Sequence, residues 1–175
     1  MSRELDVSDM VEIGRQAAWS VSSAKTGHGL ELLRDNDLDT YWQSDGPSPH
    51  VVNMQFEKRT SIRQVSFFRD KQDESYTPLR VSIRGGTNHQ DLKELYSLDV
   101  EEATGWVNIN LADISSSGRP PRVFLLQLAV LSNHHGGRDT HVRQLKLFST
   151  RESLMSLDEE VPFTAQECLQ FSTIR

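Results

Sequence analysis

The sequence is poor in the residues that many functions need. Its 175 residues include one cysteine, Cys168, so no disulfide can form within the chain. No Asn-X-Ser/Thr sequon occurs. The longest apolar stretch, residues 123–131, is broken by Gln127 and is too short to span a bilayer. The first ten residues carry acidic side chains where a secretory leader needs an apolar core. Lysine and arginine number 19 against 25 aspartates and glutamates, a net charge of −6, so the basic surface expected of a nucleic-acid binder is missing. There is no Gly-X-Ser-X-Gly elbow, no phosphate-cradling Gly-Lys-Ser/Thr and no His-Glu-X-X-His. Together these absences favour a cytosolic or nuclear protein that is not an enzyme, carries no cofactor and engages neither nucleic acid nor membrane.

What is present is a core of ordinary size, with 36% hydrophobic and 25% charged residues, enough for one self-standing domain. Period-two alternation marks strands with one buried face. Val52, Met54 and Phe56 alternate with Val51, Asn53 and Gln55, and Leu79, Val81 and Ile83 alternate with Arg80, Ser82 and Arg84. Val107, Ile109 and Leu111 repeat the pattern, and residues 62–68 and 143–148 read as further strands. Residues 123–130 are apolar on both faces, which predicts a central strand covered on both sides. Turn-rich links such as Asp45-Gly-Pro-Ser-Pro49 and Gly85-Gly86 separate these runs. Many short strands with scraps of helix, expected near 7–13 and 29–34, indicate an all-β sandwich or jelly roll. Residues 1–13 are expected to form a partly helical extension, 14–150 the domain, and 151–175 a flexible acidic tail with five acidic side chains against two arginines.

Two loops carry candidate chemistry. Asp35, Asp37 and Asp39 alternate like a calcium loop, but the glycine and glutamate of an EF-hand are missing. Aspartates closing turns onto their own backbone, with Tyr41-Trp42 anchoring the turn on the sandwich, account for the pattern better. In Ser132-Asn-His-His-Gly-Gly-Arg-Asp-Thr-His141, the histidines 134, 135 and 141 with Asp139 offer zinc ligands in principle. A loop entered through a double glycine suits recognition better than a rigid metal site. Arg138 and Asp139 pairing with each other is the plain alternative.

Three segments in order, Asp39-Thr-Tyr-Trp-Gln-Ser-Asp-Gly46, Asp73-Glu-Ser-Tyr-Thr-Pro78 and Asn133-His-His-Gly-Gly-Arg-Asp-Thr-His141, resemble the DOC-domain subunits of the anaphase-promoting complex, or cyclosome. The strand at 123–131, the segment His141-Val-Arg-Gln-Leu-Lys-Leu147, the segment Glu12-Ile-Gly-Arg-Gln-Ala-Ala-Trp-Ser-Val-Ser-Ser23 and the final Ile174-Arg175 extend the likeness. The resemblance implies a galactose-binding-like jelly roll that helps a β-propeller coactivator capture the destruction box of substrates destined for ubiquitination. It implies degron contacts at Ser75, Gly137, Arg138, Asp139 and His141, and docking of the Ile174-Arg175 tail into a tetratricopeptide-repeat scaffold subunit. Other subunits of the complex are the implied partners, and nucleus and cytoplasm the implied location. The family pattern has Asn-Gly before Arg-Asp, whereas this chain has Gly136-Gly137, so Gly136 is not counted as a contact. A carbohydrate-binding module of the same architecture is the rival reading, and a metal hydrolase on His134, His135 and His141 comes third.

Overall fold

A computed structural model describes residues 8–152 and 154. Eleven strands lie among them: β1 Met10–Glu12, β2 Ala17–Val21, β3 Trp42–Gln43, β4 His50–Ser61, β5 Gln64–Arg69, β6 Pro78–Gly86, β7 Lys93–Asp99, β8 Gly105–Asn110, β9 Arg122–Asn133, β10 His141–Val142 and β11 Gln144–Thr150. A four-stranded sheet runs β1-β11-β5-β8, a five-stranded sheet runs β2-β4-β9-β6-β7, and β10 pairs with β3. All pairs are antiparallel. The alternation read from the sequence decides which residues meet between the two large sheets. Val52, Met54, Val81, Ile83, Leu126 and Leu128 pack from one sheet against Val65, Phe67, Ile109, Leu145 and Leu147 from the other, as two inward faces of a sandwich must.

Strand β9 lies at the centre of the five-stranded sheet, as its double-faced apolar pattern predicts. Leu126 and Leu128 point into the core. Leu125 and Ala129, on the opposite face, are fully buried as well. Across that outer face runs a polar ladder: Arg84 donates to Gln127 (3.3 Å), Gln127 to Asn53 (2.8 Å) and Asn53 to Ser20 (3.3 Å). Gln127 therefore interrupts the apolar run for a reason, since it links β9 to its neighbours on both sides.

The segment at 7–13, expected to be helical, departs from that expectation. Met10–Glu12 is strand β1, paired with Phe148, Ser149 and Thr150 of β11. Three residues carry little helical preference of their own, and pairing with the otherwise open side of β11 satisfies their backbone. The turn expected near 29–34 is present as a 3-10 turn at Leu30–Leu33. The acidic tail lies outside the described residues beyond 154. Among the described residues no helix is long and apolar enough to cross a membrane.

Candidate functional site at one end of the sandwich

The polar loops collect where β5 leads into β6 and β9 leads into β10. The first loop is a 3-10 turn over Lys71–Tyr76, capped by Asp70, whose carboxylate accepts from the Gln72 N–H. The second leaves β9 through His134–Gly136, with His135 and Gly136 both at positive φ (56° and 67°). A glycine tolerates that geometry freely, while a histidine there is uncommon. The two loops touch at Gly137, which lies so close to the backbone oxygen of Ser75 that a Cβ would overlap it. Thr140 adds a hydroxyl donor to the Tyr76 carbonyl (3.3 Å), and the His134 N–H donates to the Thr77 carbonyl (2.9 Å).

Under this junction lies a column of four rings. His28 stacks on Tyr41 (4.6 Å between centroids), Tyr41 on His141 (4.0 Å) and His141 on Tyr76 (4.1 Å). Tyr76 is 37% exposed and closes the column toward solvent, while His141 inside it is 7% exposed. The polar edge of His141 faces inward too. Its Nε2 bonds Gln43 Oε1 at 2.9 Å, and its Nδ1 stands 3.2 Å from Asp73 Oδ1. Asp73 is buried and takes a two-pronged pair from Arg143, Nε to Oδ2 at 3.1 Å and a terminal nitrogen to Oδ1 at 2.8 Å. Burial pushes the Asp73 carboxyl up, but His141 and Arg143 outweigh it and hold the group below the usual carboxylate range. The same pair raises Arg143, which also donates to the Leu38 carbonyl (2.9 Å) and lies over the Tyr41 ring.

In front of this buried platform the side chains are open. Arg138 is exposed, and among the described residues its guanidinium meets no hydrogen-bond or ion-pair partner. Asp139 does not pair with it. Among the described residues Asp139 Oδ1 receives only a long contact from the Ser44 hydroxyl (3.4 Å). The backbone beneath them is held by Asn133, whose amide donates to the carbonyls of Gly137 (3.2 Å) and Asp139 (2.9 Å). An exposed cation and a half-buried carboxylate thus follow one another on a fixed loop that touches the Ser75–Tyr76 turn.

The aspartate-rich loop behaves as turn chemistry requires. Asp35 and Asp37 each accept from the backbone N–H two residues on, and Thr40 donates to Asp35. The amide of Gln144 reaches Asp35 Oδ1 and the carbonyls of Leu32 and Asp37, so a side-chain donor occupies the space between these oxygens. Trp42 is fully buried and donates to the Ser23 carbonyl (2.9 Å), anchoring the turn. The histidines of the second loop do not converge. His134 bonds the Val100 carbonyl, His135 bonds Glu102, and His141 sits in the ring column. Among the described residues no cluster of three or more His, Cys, Asp or Glu side chains is placed to hold a metal.

Comparison with known proteins shows the family and the fold. Residues 1–173 match the family described as "Anaphase-promoting complex, subunit 10 (APC10)". The chain belongs to that family. It is 51% identical over 166 residues to anaphase-promoting complex subunit 10 of Drosophila melanogaster, covering 94% of this chain and 84% of that one. Against the subunit 10 of Homo sapiens it is 48% identical over 142 residues, 81% of this chain and 76% of that one. Similar solved structures fix the fold as a galactose-binding-like jelly roll. The family 32 carbohydrate-binding module of Clostridium perfringens NanJ, in complex with galactose, superposes with a TM-score of 0.66 at 10% identity, covering 80% of this chain and 99% of that one. An F5/8 type C domain from Bacteroides fragilis gives 0.62 at 16% identity, over 82% and 99% of the two chains.

For this subunit 10 family member, the five candidate residues named from sequence fall into two groups. Ser75, Gly137, Arg138 and Asp139 come together at the loop junction. His141 lies behind them, with both ring nitrogens turned toward Gln43 and Asp73. Ile174 and Arg175 lie outside the described residues. The supporting groups Asp73, Arg143, Gln43 and Asn133 are not legible as a site in the sequence, because each reaches it from a different strand or loop.

Proposed function

We propose that this chain is a non-catalytic component of the anaphase-promoting complex ubiquitin ligase, working in nucleus and cytoplasm. In this reading it holds the destruction box of a substrate jointly with a β-propeller coactivator. The observation that carries it is the exposed Arg138, unpaired among the described residues, beside Asp139 on a clamped loop. A guanidinium donates and a carboxylate accepts, so together they suit the carbonyls, amides and polar side chains of an extended peptide. A destruction box is a short disordered segment whose ordering costs entropy that one shallow surface offsets poorly. Sharing it between two receptors in one assembly makes the second contact intramolecular, with gains on the order of a hundredfold.

The test is a ubiquitination assay with complex reconstituted on Arg138→Ala/Asp139→Ala. Processivity on a destruction-box substrate falls, while incorporation of the variant and its melting temperature stay unchanged. Undiminished processivity would exclude this surface as the receptor. The same reading gives Ile174 and Arg175 a docking role on a tetratricopeptide-repeat subunit of the complex. Equal recovery of that subunit by wild type and by Ile174→Ala/Arg175→Ala would remove it. The carbohydrate reading rests on likeness of fold alone, and saturable binding of galactose at the loop junction would be needed to support it.

A further inference from the structure

We propose that His50 is the residue that positions Arg138 for its ligand, a proposal that rests on the degron reading above. His50 opens β4 opposite Val130 of β9 and continues the inward-facing row of Val52 and Met54. It is 1% exposed. Its Nε2 lies 2.6 Å from the backbone oxygen of Arg138, a residue 88 positions later in the chain. A carbonyl only accepts, so Nε2 carries the hydrogen and donates it. Nδ1 is buried and finds no hydrogen-bond partner among the described residues. The polar engagement of the ring is therefore with this one carbonyl.

The contact completes a set. Asn133 holds the carbonyls of Gly137 and Asp139, His50 holds that of Arg138, and the Ser44 N–H holds that of Thr140 (3.2 Å). Four consecutive carbonyls are tied down while the Arg138 side chain stays exposed and unpartnered among the described residues. The preceding residues, His135 and Gly136, lie at positive φ, and residues 134–139 belong to no strand. Without a tie at its centre such a loop samples other paths, and its ordering is paid when the ligand binds rather than when the chain folds. His50 carries that tie from the rigid sheet, because the register of β4 with β9 fixes its Cα.

The chemistry of the tie can be varied at constant polarity. Glutamine places an amide nitrogen at the depth of Nε2, whereas asparagine stops at the depth of Nδ1. In the full chain, His50→Asn should speed trypsin cleavage after Arg138 by roughly tenfold, with cleavage after the exposed Lys58, toward the other end of β4, unchanged. His50→Gln should stay within about twofold of wild type. In complex reconstituted with coactivator, His50→Asn should weaken a fluorescein-labelled destruction-box peptide by about fivefold, and His50→Gln should restore it. Added to Arg138→Ala, His50→Asn should weaken the peptide no further, because the positioned group is gone. Wild-type cleavage and affinity in His50→Asn, with Arg138→Ala impaired, overturns the positioning role and leaves the degron reading standing. Equal acceleration after Arg138 and Lys58 also overturns it, since the variant is then loosened throughout. If Arg138→Ala leaves the peptide unaffected, the degron reading falls instead, and the trypsin rates alone decide whether His50 clamps the loop.

Discussion

Asp73 and Arg143, 70 residues apart in the chain, form a buried two-pronged ion pair against the Nδ1 edge of the His141 ring. The pair joins the loop before β6 to the residue between β10 and β11, so it fixes the height of the Ser75 loop against the sandwich. Removing one partner leaves the other charged in a dry place, which is the costly way to break such a pair. Asp73→Ala should therefore lose about 3–5 kcal/mol of stability, measured by urea unfolding at neutral pH. A loss below 1 kcal/mol would mean that water reaches the pair freely.

The same carboxyl sets a pH dependence. Its folded-state pKa lies below the unfolded value, so the folded state binds the proton less readily than the unfolded one. The associated stability is present above the unfolded carboxylate pKa of about 4 and is lost as pH falls through the folded value. Asp73→Asn should flatten the stability profile below about pH 4 relative to wild type. Parallel acid profiles for the two proteins would show that Asp73 is not among the carboxyls that matter.

His141 and Arg138 should separate cleanly. His141 lies between the rings of Tyr41 and Tyr76 with its nitrogens turned inward, so His141→Ala opens a gap in the column and should cost about 2–4 kcal/mol. Arg138 is exposed, so Arg138→Ala should stay within about 0.5 kcal/mol of wild type. Thermal melts of the two variants measure the contrast. Equal melting temperatures would place His141 outside the supporting structure.

Gly137 tests the contact between loops. Its backbone is not at positive φ, so the demand for glycine is purely one of space against the Ser75 carbonyl. Gly137→Ala must push the two loops apart, at a cost of about 1–3 kcal/mol. Hydrogen exchange should rise at the Thr77 and Thr140 amides if the junction opens. Unchanged exchange with unchanged stability would show that the loops part without cost.

Strand β9 tests the sandwich itself. Leu128 packs between the sheets and Leu125 is buried on the outer face. Each changed to Ala should lose about 2–5 kcal/mol, with Leu128 toward the upper end because the space between two packed sheets relaxes least. Melting within a degree or two of wild type for both would contradict the central placement of β9.

The strands with long alternation, β4, β6 and β9, were legible because burial of one or both faces writes itself into every second residue. The short strands were not. Ala17–Val21 and His141–Val142 pair at their places because β4 and β3 offer them open backbone groups, and Met10–Glu12 is a strand only because β11 has a side to cover. The candidate site divides in the same way. Sequence alone named Ser75, Gly137, Arg138 and Asp139, since family likeness is carried by the residues themselves. It also placed His141 among the contacts, where the structure gives that ring a buried, supporting position. Whether a polar side chain faces a ligand or an aspartate 68 residues upstream depends on which strands lie next to each other. That adjacency brings His50 to Arg138, Asp73 to Arg143 and four rings into one column. Hydrogen bonds and stacking act over a few ångströms of space and take no account of distance along the chain, so only the folded sandwich decides them.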